Sequence, residues 1–151
     1  MSQSLTKIYL HIVFHLKTSC RKIRPEDIDS LHRYIGKMVN IVGCQVLQVG
    51  GTEDHVHVLI TLSKTENTAH VVEEMKRNSS RWIKTLSPYY ADFAWQGGYG
   101  AFSIGQSQVN TVIRYLQNQA EHHKKQSFRD EYIQFLQLYN IEYDEKYLWT
   151  D

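Results

Sequence analysis

The chain has 151 residues, with 17 Lys plus Arg against 16 Asp plus Glu and a formal net charge of +1. That length suits one domain with a proper hydrophobic core, and the near-neutral balance excludes a global basic footprint, so any nucleic-acid contact must come from local patches. The longest apolar stretches, 8–16 and 56–62, fall far short of the roughly 20 residues of a membrane helix, and Cys20 and Cys44 lack the spacing of a zinc ribbon or disulfide framework, so a soluble protein of a reducing cytoplasm is expected.

Thr6 to Lys17 alternates and is rich in β-branched and aromatic residues, which predicts a first strand rather than a secretory leader. Pro25 opens a helical pattern in which Ile28, Leu31, Ile35, Met38 and Val39 share a face, and Gly43 closes it. Gln45 to Val49 reads as a second strand, Gly50-Gly51 as a turn, and His55 to Leu62 as a third strand in a hairpin with the second. Asn67 or Thr68 can cap a second helix running to about Leu86, Pro88 marks a loop, and the aromatic stretch Phe93 to Ile104 holds a fourth strand broken by glycines. The order β-α-β-β-α-β predicts an α+β, ferredoxin-like antiparallel sheet with both helices on one face. Ser107 then opens a third helix, SQVNTVIRYLQNQAEHHKK, and a fourth pattern, FRDEYIQFLQLYN, leads into the tail IEYDEKYLWT. The expectation is one domain over 1–151, with a core of about 1–105 and appended C-terminal helices over about 106–151.

Within the third predicted strand, GTEDHVHVLI places His55 and His57 one residue apart. Residues i and i+2 of a strand share a face, about 6.5–7 Å apart, so the imidazoles project together while Val56, Val58 and Ile60 turn toward the helices. The histidines are therefore expected on a helix-free face. Two neutral imidazoles there can share a cation through ring nitrogens. HxH alone also occurs as an ordinary strand pair, and the companions of other chemistries are absent: no HExxH for zinc hydrolysis and no second HxT or HxS for a two-histidine phosphoesterase.

The third predicted helix can complete such a site. Val109, Val112, Ile113, Leu116 and Ala120 form its apolar stripe, whereas Tyr115, Gln119 and His122 stack at i, i+4 and i+7 on a polar one. His123 falls near the apolar border, so His122 is the better placed of the adjacent pair. A divalent ion on two imidazoles and an amide oxygen keeps open positions beside a phenol able to attack an electrophile. Phenolate is a good leaving group in phosphoryl chemistry, so a phosphotyrosine conserves the energy of a broken phosphodiester and makes cleavage reversible. Mg²⁺ or Mn²⁺ fits, Mn²⁺ being more tolerant of imidazole.

These residues resemble those of the single-tyrosine, HUH-type transposases of the insertion-sequence 200/605 family, which include REP-associated relatives. The motifs that carry the resemblance run along nearly the whole chain: DHVHVLI, KRNSSRWIK, GGYGAFSI with Ser107-Gln108, YLQNQ and IEYDEKYLW. The resemblance implies a ferredoxin-like homodimer in a bacterial or archaeal cytoplasm, single-stranded DNA with hairpin ends as substrate, and no membrane. It matches His55 and His57 to the metal pair, Gln119 to the third ligand and Tyr115 to the nucleophile of a 5′-phosphotyrosine that leaves a free 3′-OH; His122 stays open as an alternative ligand. In relatives the tyrosine helix of one subunit can serve the histidine pair of the other.

On the second predicted helix Lys76, Arg77, Arg81 and Lys84 share a broad arc opposite the apolar face, a candidate for phosphate contact that Glu73 and Glu74 dilute. Tyr89, Tyr90, Phe93, Trp95, Tyr99 and Phe102 are candidates for base stacking or for core or interface, and Tyr147 and Trp149 are expected to dock on the domain or its partner subunit rather than touch DNA. The leading expectation is a metal-dependent strand transferase. Its alternatives are a catalytically idle, hairpin-binding dimer acting as a repressor or structural factor, and a ferredoxin-like metal or small-molecule module without a nucleic-acid partner.

Overall fold

The computed structural model describes residues 2–150. Strand β1 spans Tyr9–His15, helix α1 Pro25–Ile41, β2 Gln45–Gly51, β3 His55–Thr61, α2 Thr68–Lys84 and β4 Gly100–Ile104. Four further helices follow, α3 at Val109–Gln117, α4 at Gln119–His122, α5 at Phe128–Leu138 and α6 at Glu145–Leu148. The sheet order is β2-β3-β1-β4 with every neighbouring pair antiparallel, the arrangement expected from the βαββαβ order. None of these helices is long and apolar enough to cross a membrane.

Local chemistry explains the helix ends. Pro25 occupies the first turn of α1, Glu26 and Asp27 favour its positive end, and Gly43 follows its close at φ +88°. Asn67 caps α2 by accepting the His70 N–H. Gly50 and Gly51 belong to β2 rather than to the turn, which falls at 52–54. Gly50 pairs with His57, and a Cβ there would lie 2.1 Å from the Leu116 carbonyl oxygen. The missing side chain lets the end of α3 rest on the strand backbone.

One face of the sheet carries the main core. Ile12 and Phe14 of β1 and Val56, Val58 and Ile60 of β3 pack against Leu31, Ile35 and Val39 of α1 and Val71, Met75 and Ile83 of α2. The other face, expected to lack helices, is covered by α5 and the tail. Val13, Phe102, Tyr132 and Leu136 are buried there, flanked by Phe128, Phe135, Tyr139 and Trp149. The reason is that α5 has an apolar stripe of its own and the open face offers Val13 and Phe102 to bury against it. Trp149 docks as expected, beneath the Arg129 guanidinium at 4.7 Å, whereas Tyr147 is 63 % exposed.

The third helix is not continuous. A 3-10 turn over Gln106–Gln108 precedes α3, and Asn118, at φ −104° and ψ 20°, separates α3 from α4. Gln119 and His122 therefore project from a second short helix whose direction is set by that break.

Candidate active site

Strand pleating fixes which side chains meet. His55 and His57 of β3 share a face with His11 and His15 of β1, because His15 pairs with His55 and Val13 with His57. With α5 laid over that face, His55 and His57 are both 0 % exposed, and the Phe128 ring stacks on His55 at 4.1 Å. Each imidazole is held at Nδ1. Asp54 Oδ1 lies 2.8 Å and Thr52 Oγ1 3.0 Å from His55 Nδ1, and His11 Nε2 lies 2.7 Å from His57 Nδ1. The partners at Nδ1 turn both Nε2 atoms inward, as in metal sites where a second group orients the ligand.

The inward atoms meet three other elements. His57 Nε2 is 2.9 Å from Glu131 Oε1, and His55 Nε2 is 3.1 Å from Gln119 Oε1. Tyr115 Oη donates to Glu131 Oε2 and stands 3.4 Å from His122 Nε2, with its ring edge-on to His57 at 5.9 Å. His123 Nε2 lies 3.0 Å from Gln119 Oε1 and 3.3 Å from Glu131 Oε2. Tyr115 and Gln119 thus both meet the histidine pair within one chain, whereas His122 does not touch it. His122 stands on the phenol's side of the cluster, 3.1 Å from Glu131 Oε2, and it is His123 that joins the donors. His55, His57, His123 and Glu131 each offer a ligand atom, all within 4.8 Å of one another.

Burial governs the protonation states. It pushes His57 down to about 4 against the pull of Glu131, and His11 down to about 3 with help from His57. Both rings are neutral at physiological pH, the form that binds metal. His123 is lowered too, by burial and then by His55. Burial opposes the charge of Glu131, but the hydrogen bonds from His57 and Tyr115 outweigh it and hold the carboxyl down at about 2. Tyr115 is raised, first by burial and then by Glu131, so the resting phenol keeps its proton.

The donor set fits a divalent cation. With its Nδ1–H given to Asp54, His55 aims the Nε2 lone pair at Gln119 Oε1, itself an acceptor, only 3.1 Å away. Adjacent ligands at about 2.1 Å from an octahedral ion are about 3 Å apart, which matches this separation and the 2.9 Å between His57 Nε2 and Glu131 Oε1. Two cavities reach the cluster. One of about 740 Å³, between α1 and α3–α4, ends at Gln119 and His123; one of about 470 Å³, between α3 and α5, is lined by His11, Tyr115, His122 and Glu131.

The basic arc of α2 lies across the sheet from the histidines, with the main core between them. Lys76 Nζ donates to the Gln96 and Gly98 carbonyls at 2.7 and 2.6 Å, and burial lowers it to about 8. Arg77 pairs with Glu73 at 3.0 Å and with Glu74, while Arg81 and Lys84 are exposed. Phe93, Trp95 and Phe102 are core residues. Sequence reasoning missed Glu131, His123 and the His11 support. The faint signals were a carboxylate within the Phe128, Tyr132 and Phe135 stripe of α5, at helical spacing, and two more histidines, His11 and His15, in phase on β1, neither of which points to a site until the face that α5 covers is known.

The sequence model of IS200-like transposases matches residues 4–119, from before β1 to Gln119. Among solved structures, a Deinococcus radiodurans R1 protein described as a transposase superposes with a TM-score of 0.60 at 17% identity, covering 79% of this chain and 98% of that one. A REP-associated tyrosine transposase bound to a REP hairpin superposes with a TM-score of 0.56 at 13% identity, covering 78% and 72%. These likenesses show a shared fold. No curated protein matches the chain.

Proposed function

The chain belongs to the family of IS200-like transposases, and from that premise we propose that it cleaves and rejoins single-stranded DNA through a covalent 5′-phosphotyrosine on Tyr115. The observation that carries the reading is that one buried carboxylate, Glu131, touches both the Tyr115 hydroxyl and Nε2 of His57. Nucleophile and histidine pair therefore converge in a single chain.

Tyr115 Oη gives up its proton on the Glu131 side and attacks the scissile phosphorus, the P–O3′ bond breaks, and the departing oxygen takes up one proton to leave as a 3′-OH, so the step is proton-neutral. In reverse, a 3′-OH attacks the phosphotyrosine and returns the phenol, so strands are exchanged without a separate energy source. His55, His57 and Gln119 are the residues proposed to hold the ion, with Asp54 and His11 fixing the two rings. When bound, a divalent ion polarises the phosphate and lowers the cost of negative charge on the phenol beside it. Imidazoles beside oxygen donors suit Mn²⁺ better than Mg²⁺.

Hairpin ends are proposed as the DNA recognised, a reading supported by the neighbour described with a REP hairpin bound. Arg81 and Lys84 are the exposed cations of the α2 arc that remain open to phosphate, whereas Lys76 and Arg77 have protein partners. A homodimer is proposed in which each copy carries its own complete site. The test is to incubate the protein with Mn²⁺ and labelled single strands bearing the ends of its genomic locus. A denaturation-resistant protein–DNA adduct is expected, and it should vanish in Tyr115→Phe. An adduct that persists in that variant removes Tyr115 from the role, and no adduct at all from the wild-type protein favours the idle hairpin-binding factor.

A further inference from the structure

Glu131 lies outside the region that matches the family, on α5 of the appended C-terminal segment. It is nevertheless 2 % exposed and faces the site with both oxygens. Oε1 lies 2.9 Å from His57 Nε2 and 3.9 Å from His55 Nε2, while Oε2 takes the Tyr115 hydroxyl and lies 3.1 Å from His122 and 3.3 Å from His123. All of its ion-pair partners among the described residues are histidines; no lysine or arginine reaches it. A buried carboxylate ringed by imidazole nitrogens, with ligand atoms of His55, His57, His123 and Glu131 all within 4.8 Å of one another, is a donor set that a divalent cation completes.

We propose that Glu131 is a ligand of the same ion, bound through Oε1 beside His55 and His57, with His123 and Gln119 completing the protein's share of the shell. This rests on the metal site of the proposed function and adds donors from the C-terminal segment to it. The 2.9 Å between Oε1 and His57 Nε2 is the spacing of adjacent ligands, and the other oxygen stays with the Tyr115 hydroxyl. Glu131 thereby ties the ion to the nucleophile. Because it enters on α5, whose Phe128, Tyr132 and Leu136 pack on the histidine face, ion binding and seating of α5 become one linked equilibrium.

The test needs no DNA. Mn²⁺ affinity is measured by electron paramagnetic resonance on the full chain, wild type against Glu131→Gln, which keeps the shape and removes the charge. Backbone hydrogen exchange over 128–138 is followed with and without Mn²⁺. The expected results are at least about a tenfold loss of affinity in Glu131→Gln and a metal-induced slowing of exchange in α5 that this variant loses. Equal affinity in the two proteins overturns the assignment while leaving the histidine site standing. If the variant does not fold, the wild-type exchange decides: unchanged protection of α5 on saturation with Mn²⁺ overturns it. A wild-type chain that binds no Mn²⁺ sinks the metal reading beneath it as well, whereas the Tyr115 adduct is scored separately.

Discussion

At the scale of single residues, the site depends on His57 and its support His11, which stay uncharged because they are buried. For a group whose folded value lies below its unfolded one, the unfolded chain takes up the proton first as pH falls. The stability is full above the ordinary value of 6.5 and is lost progressively toward the folded values, about 4 for His57 and about 3 for His11. Glu131, lowered from 4.5 to about 2, adds a second loss at more acid pH. Metal-free thermal melts should therefore show a falling Tm between about pH 7 and about pH 5, with a shallower slope in His11→Phe. An unchanged slope in that variant would mean His11 is not held neutral. The paired histidines, Tyr115 and Gln119 were legible in the sequence because strand and helix periods place them on shared faces. Glu131 was not, since nothing local says which sheet face an amphipathic helix will cover, and His11 was hidden in a run that reads simply as a strand.

Among the elements, α3 is the one whose seat decides whether phenol and imidazoles meet. Its Leu116 carbonyl lies over Gly50, where no side chain fits. Gly50→Ala is expected to push α3 outward, to cost about 1–3 kcal/mol in thermal or denaturant unfolding, and to reduce adduct formation more than a comparable loss of stability elsewhere. Wild-type stability and adduct yield in that variant would show that α3 does not rest there. The βαββαβ order was readable from alternation, caps and glycines, and the structure follows it. Two details were not. The glycine pair was read as a turn because glycine signals a turn and a close approach equally well, and the break at Asn118 gives no sign in a run that keeps its helical period.

For the molecule as a whole, the sheet divides labour: α1 and α2 with the main core on one side, the histidines, Tyr115 and α5 on the other. Since the cluster closes within one chain, a mixture of Tyr115→Phe and His57→Ala proteins should form no adduct. Restored adduct in the mixture would show that tyrosine and histidines come from different copies. The pairing of β1 with β3 carries a heavier consequence. Ile12 and Phe14 serve the apolar layer, while His11 and His15, on either side of them, serve the opposite one together with Val13. A slip of one position would trade the two sets, sinking imidazoles into hydrocarbon and stranding the chemistry. Insertions or deletions of a single codon within either strand should therefore be far more damaging than any one substitution there, and variation in length should gather in the segments joining the strands.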